Sequence, residues 1–260
     1  MVKRVLITAP EAYQPRFAEA FRRYNSQGIN PVFMPFISTV PMLDSAELGT
    51  FVSEYQSYDH VICSSRMAVS VLAKSGIHFL SDDERIIAIG KDQDAVRSML
   101  HVEPALHDAE PSMMGIVEAL RCVEGVSSKK IAVLLPSFEG LPVPSTITNF
   151  MDALADLKAC VTPIYCYCTS ALCEDDYPKV LDMLPKEKIN AIALTSGGEA
   201  FVLACLLRYA EAQGKSIDVP IYSFGPYTTK CACEAGLTIS GTSPHFHSFD
   251  DYVQFLMEML

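Results

Sequence analysis

Short apolar runs alternate with amphipathic stretches along the whole chain. Val5-Leu6-Ile7, Val61-Ile62-Cys63, Ile87-Ala88-Ile89, Ile131 to Leu135 and Ala191 to Leu194 are nearly continuous in apolar residues. Each stops at Thr, Ser, Gly or Pro. Runs of this kind fit strands buried on both faces of a parallel sheet. Between them, apolar residues recur at helical spacing: Phe17, Ala20 and Phe21; Val69, Leu72 and Ala73; Val96, Met99 and Leu100; Phe150, Leu154 and Leu157. The alternation predicts an α/β fold of parallel sheets covered by helices.

The pattern occurs twice. A basic pair, Lys3-Arg4 or Lys129-Lys130, precedes each first strand. Asp59 to Ser65 is echoed by Asn190 to Ser196, and Ile87 to Lys91 by Tyr222 to Pro226. The offset is about 130 residues, half of the 260-residue chain, which means two copies of a domain rather than a solenoid. Two extended runs with inner prolines, Val32 to Ser38 and Pro163 to Thr169, read as crossing segments. If both cross, residues 1–36 and 166–260 form one lobe and 37–165 the other. A cleft between two such lobes is a common place for a ligand site.

Bulk composition narrows the function. Half the residues are hydrophobic, enough for a sizeable core, and no apolar run is long enough to span a membrane. The chain enters a strand without a signal-peptide pattern, so a cytoplasmic protein is expected. Nine cysteines lack a disulfide-framework spacing. The net charge of −11 argues against a nucleic-acid partner. The Cys166/Cys168 and Cys231/Cys233 pairs are expected to be buried thiols, and His245/His247 a loop cap, because a metal site needs several converging ligands. The acidic runs Ser81 to Glu84 and Glu174 to Asp176 read as solvated turns.

Ligands of open α/β sheets bind beyond the carboxyl ends of the strands. Four loops fall there: Ser64-Ser65-Arg66, Gly90-Lys91-Asp92, Thr195-Ser196-Gly197-Gly198 and Gly225-Pro226-Tyr227-Thr228-Thr229. Each precedes a helical pattern, and a helix N-terminus holds carboxylate or phosphate through unpaired N–H groups. Gly197 and Gly198 would let a ligand approach the backbone. Alternatively, Ser65, Ser196 and Thr228 only cap their helices. There is neither a G-x-G-x-x-G nor a P-loop pattern, so nucleotide binding is not indicated.

At these loops the sequence resembles the uroporphyrinogen-III synthase family. The matching stretches are Thr8-Ala9-Pro10, Ser64-Ser65-Arg66-Met67-Ala68-Val69, Ala88-Ile89-Gly90, Val161 to Thr169, Leu194-Thr195-Ser196 and Phe224-Gly225-Pro226-Tyr227-Thr228. The resemblance implies two flavodoxin-like lobes joined by a two-stranded linker. It implies a cytosolic enzyme without metal or organic cofactor, acting on a linear tetrapyrrole, and we expect a monomer. Such an enzyme closes hydroxymethylbilane into uroporphyrinogen III, losing water and inverting the last pyrrole ring.

Two positions depart from the family pattern. Ala9 stands where an arginine is common, and Leu135-Pro136-Ser137 covers another such stretch. Arginine pairs best with the carboxylates of this substrate. The remaining cationic candidates are Arg66, Lys91 and Lys230, beside the helix N-termini. Substrate contacts are expected at Ser64, Ser65, Arg66, Gly90, Lys91, Ser196, Gly197, Gly198, Gly225, Tyr227 and Thr228, with Thr228 offering a surface hydroxyl. Tyr167, which falls on the family's tyrosine, is the expected general acid. A non-catalytic two-lobed binding or regulatory homologue is the alternative reading, and a periplasmic-type solute binder a third.

Overall fold

The computed structural model describes residues 3–81, 83–106, 109–246 and 248–260. Asp82 and His247, named above, lie outside these. In chain order the strands are β1 (Arg4–Ile7), β2 (Asn30–Phe33), β3 (Ile37–Pro41), β4 (His60–Cys63), β5 (Ile86–Ala88), β6 (Lys130–Glu139), β7 (Cys160–Ala171), β8 (Ala191–Leu194), β9 (Ile221–Ser223) and β10 (Gly241–Thr242). The helices are α1 (Gln14–Tyr24), α2 (Ala46–Glu54), α3 (Arg66–Lys74), α4 (Asp92–Leu100), α5 (Met113–Arg121), α6 (Ser145–Ala155), α7 (Tyr177–Lys186), α8 (Gly197–Ala212), α9 (Pro226–Glu234) and α10 (Phe249–Met259).

The chain divides into two compact units. One comprises Met1–Ser38, Glu139–Pro142 and Ser170–Leu260; the other comprises Thr39–Phe138 and Val143–Thr169. The first holds a sheet of order β10-β9-β8-β1-β2, with the pairs β1–β2, β1–β8, β8–β9 and β9–β10 parallel. Read in chain order this is the 2-1-3-4-5 arrangement of flavodoxin-like sheets. The second sheet has the order β3-β7-β6-β4-β5, with β4 parallel to both β5 and β6. Leu172 N–H donates to the Phe36 carbonyl and Met42 N–H to the Cys166 carbonyl, so β3 and β7 run in opposite directions.

Both sheets are covered on both faces, which explains the unbroken apolar strands. In the first unit Val5 and Ile7 pack with Phe17 of α1 and Tyr252 of α10, whereas Leu6 between them packs with Leu203 of α8 and Leu181 of α7. In the second, Val61 and Cys63 face α2, α3 and α4, and Ile62 faces α5 and α6. Neighbouring residues of one strand therefore serve opposite layers. Truncating any of these large aliphatic side chains to Ala would cost about 2–5 kcal/mol, the range for cavities that relax only partly.

Two expectations change here. The run Val32 to Ser38 is not one crossing strand: it breaks at Pro35 into β2 and β3, which belong to different sheets. A proline has no N–H for a ladder, which favours the break, and Pro31 is accommodated because β2 is an edge strand. The turn around Asp83 is not simply solvated. The Asp83 side chain is 5% exposed and accepts the Tyr55 hydroxyl at 2.8 Å. Among the described residues, no helix is long and apolar enough to cross a membrane.

Candidate functional site

In the second unit the loop after β4 is built by Ser65. Its backbone is extended (φ −164°, ψ 166°), and its Oγ accepts from Ala68 N–H at 3.2 Å, capping α3. The same Oγ lies 2.8 Å from the phenolic oxygen of Tyr167 on β7. Tyr167 is 6% exposed. Burial pushes its phenol up to about 12, against the downward pull of the Ser65 and Ser64 hydroxyls. Tyr167 is therefore a neutral hydrogen-bond donor at physiological pH. Ser64 is buried, and its hydroxyl donates to the Leu134 carbonyl at 2.6 Å.

Arg66, the first residue of α3, is exposed. Its charge and backbone N–H favour the ionised form of Asp92 at the start of α4, but burial dominates and raises that carboxyl. The N-terminus of α3 thus meets a carboxyl group of the protein itself. Gly90 is in the left-handed region (φ +48°), and a Cβ there would stand 2.9 Å from Pro111 Cβ. Lys91 is exposed.

In the first unit Ser196 caps α8, with Oγ accepting from Glu199 N–H at 3.3 Å. The Ser196 hydroxyl in turn donates to Glu199 Oε1 at 2.9 Å. Glu199 is fully buried and also accepts from Thr195 Oγ1 (2.5 Å), Thr195 N–H (2.8 Å) and Thr8 Oγ1 (2.6 Å). Burial raises this carboxyl and its hydroxyl and amide donors lower it, with burial the larger effect. Glu199 was missed in the sequence. Its signal was there, since Ser196-x-x-Glu199 has the spacing of a capping box.

The glycines divide in purpose. At Gly197 an added Cβ would stand 2.8 Å from Cys231 Sγ, so this glycine admits α9 rather than a ligand. At Gly198 such a Cβ would be in ordinary contact with Ile37 and Leu141, 3.6 and 3.7 Å away, so apolar side chains cover this position. At Gly225, in extended backbone, the Cβ would meet Phe246 at 2.7 Å. Thr228 corrects another expectation. It is 4% exposed, and its hydroxyl donates to the Thr195 carbonyl at 3.3 Å, so it ties α9 to the β8 loop instead of offering a surface hydroxyl. Tyr227 next to it is exposed. Lys230 is exposed and faces Glu234 at 3.9 Å.

Of the four paired cysteines, Cys166 is buried, Cys168 and Cys231 are part-buried and Cys233 is exposed, so the buried-thiol expectation holds for Cys166 alone. Ala9 and Leu135, at the two positions departing from the family pattern, are 2% and 1% exposed. Both join hydrophobic cores. The structure thus brings Ser65, Arg66 and Tyr167 together in one unit, and Thr195, Ser196, Gly197, Gly198 and Thr228 in the other. The chemistry they offer is neutral hydrogen-bond donation and helix N-terminal N–H groups.

The family described as Uroporphyrinogen-III synthase HemD matches residues 16–250. No curated protein sequence matches the chain. Among solved structures, a mutant uroporphyrinogen III synthase from the extremely thermophilic bacterium Thermus thermophilus aligns with a TM-score of 0.62 at 13% identity, covering 99% of this chain and 98% of that one. Uroporphyrinogen-III synthetase from Helicobacter pylori 26695 aligns with the same TM-score and identity over 100% of both chains. At such identity these two share the fold. The family match spans most of the chain, and the chain belongs to the uroporphyrinogen-III synthase family, whose work is tetrapyrrole synthesis on the way to heme.

Proposed function

We propose that this family member acts as a cyclising lyase on hydroxymethylbilane, with Tyr167 at the reacting centre. The observation that carries the reading is the buried, neutral Tyr167 phenol held 2.8 Å from Ser65 Oγ at the start of α3. The substrate is reactive in itself. Its terminal C–O bond breaks, the pyrrole nitrogen lone pair supplies the electrons, and the oxygen leaves as water once it gains a proton. The azafulvene so formed is attacked by the substituted carbon of the last ring. The spiro intermediate then rearranges, which inverts that ring.

A phenol raised to about 12 does not readily give up its proton. Leaving a phenolate at pH 7 would cost about 7 kcal/mol, from about 1.4 kcal/mol for each unit of pKa. Tyr167 therefore assists as a hydrogen-bond donor to the departing oxygen, and the proton that turns this oxygen into water comes from solvent. The greater part of the work is holding the chain so that the substituted carbon attacks first. The exposed Arg66 side chain, in the same unit as Tyr167, is assigned to a substrate carboxylate. Ser64 and Thr228 shape their loops through their bonds to Leu134 and Thr195. In the same reading the protein works in the cytoplasm, as a monomer without a cofactor.

The test is product stereochemistry. Hydroxymethylbilane generated in situ is supplied, and the oxidised products are separated into isomers I and III. Isomer III in excess is expected; isomer I alone would overturn the reading.

A further inference from the structure

His60 opens β4, and both of its ring nitrogens are shut off from solvent without a hydrogen-bond partner among the described residues. A buried imidazole nitrogen is ordinarily satisfied, because an unmade bond leaves its desolvation uncompensated. Alternation along the strand puts His60 on the face of Ile62, the layer covered by α5 and α6. The charged residues Glu118, Arg121 and Asp152 of that layer are exposed. Arg85, just ahead of the neighbouring β5, holds its guanidinium over the Tyr55 ring. The charges that act on His60 are those of Asp59 and Lys129. Asp59 is already engaged: its Oδ1 accepts from Lys129 Nζ at 3.0 Å and its Oδ2 from Lys130 N–H at 2.8 Å. The place suits a neutral imidazole and offers an imidazolium no acceptor.

We propose that His60 makes the unit carrying Tyr167 acid-sensitive: once protonated, its imidazolium finds no acceptor in the fold, and that unit loses stability. The link to the candidate site runs along the chain, since β4 extends from His60 to Cys63 and Ser64 and Ser65 follow directly. Burial holds the imidazole below its ordinary value of 6.5, against the upward pull of Asp59, and Lys129 adds to the lowering. Above 6.5 His60 is neutral in the folded and the unfolded chain alike, and the full stability is present. As pH falls through 6.5 the unfolded chain takes up its proton first. Stability then falls until pH has passed the lower folded value.

The test compares the wild type with His60→Leu, which removes both nitrogens, by urea unfolding between about pH 5 and about pH 8. Within the window the wild-type unfolding constant should rise, relative to the variant, by up to about tenfold per pH unit, the slope for one proton. The other histidines and the acids titrate in both proteins and drop out of the difference. Parallel profiles over the whole range would overturn the proposal. The proton is also followed directly in the wild type, by NMR titration of the assigned His60 ring, which serves should His60→Leu not fold. A midpoint below 6.5 is expected, and one at or above 6.5 overturns the proposal.

Discussion

The phenolic oxygen of Tyr167 and the Oγ of Ser65 lie 2.8 Å apart, and Ser65 Oγ also caps α3 through Ala68 N–H. One serine therefore ends a strand, starts a helix and holds the buried tyrosine of β7. Tyr167→Phe removes the phenolic OH and leaves the ring packed. If the phenol assists departure of the substrate oxygen as a hydrogen-bond donor, kcat should fall by about 10²–10³, with isomer III still formed in what remains. Separation of the product isomers with initial rates checks it. An unchanged kcat would remove Tyr167 from the reacting centre. Because its phenol sits at about 12, wild-type kcat should show no Tyr167 titration between about pH 7 and about pH 9.

Ser65→Ala removes both the cap and the partner of Tyr167. The cap is worth about 1 kcal/mol, and the lost hydrogen bond adds a similar amount. Urea unfolding should show a lower midpoint with an unchanged slope. Ser65→Thr, which keeps a hydroxyl, should recover most of the loss.

Thr228→Val tests the corrected role of that residue. Its hydroxyl donates to the Thr195 carbonyl from a buried position, so the isosteric change leaves an acceptor short of a partner. Stability should fall by about 1–3 kcal/mol. Were Thr228 a surface group, the change would be near zero, and thermal unfolding distinguishes the two.

Gly197→Ala forces a methyl to within 2.8 Å of Cys231 Sγ and 2.9 Å of its Cβ. Separating α8 from α9 to admit it should cost about 1–3 kcal/mol. Pairing it with Cys231→Ala should recover part of that loss in a double-mutant cycle. Full additivity of the two changes would show that the contact is not the cause.

Glu199 also makes a prediction about pH. Its folded carboxyl is raised above the ordinary value of 4.5, chiefly by burial. Below that value folded and unfolded states both hold the proton, and the full stability is present. As pH rises through 4.5 toward the folded value, the unfolded chain releases its proton first and stability falls. Above the folded value the loss is complete. Tyr252 of α10 faces the same carboxyl and is raised well above its usual range, first by burial and then by Glu199, so it stays neutral throughout. The difference in urea midpoint between the wild type and Glu199→Gln should change from about pH 4 upward; a constant difference up to about pH 8 would show no such titration.

The sequence by itself determined the α/β class, the order of elements and the family. The apolar runs at Val5, Val61, Ile131 and Ala191 are strand-forming in any context that buries both faces, and the helical spacing of Phe17, Ala20 and Phe21 is a local property of the chain. Serines 65 and 196 were readable as caps for the same reason, because capping needs only residues a few positions apart. What the sequence left undecided involves partners distant along the chain. Thr8 meets Glu199 across 191 positions, and Ser65 meets Tyr167 across 102. Gly197 is a glycine because of Cys231, a residue of the following helix, and Thr228 is buried because α9 packs on α8. Thr8 meets Glu199 only once β1 lies beside β8, and Ser65 meets Tyr167 only once the order β3-β7-β6-β4-β5 sets β4 and β7 on either side of β6. Tertiary structure alone decided which hydroxyls face inward, because a hydrogen bond depends on distances of a few ångströms that periodicity does not encode.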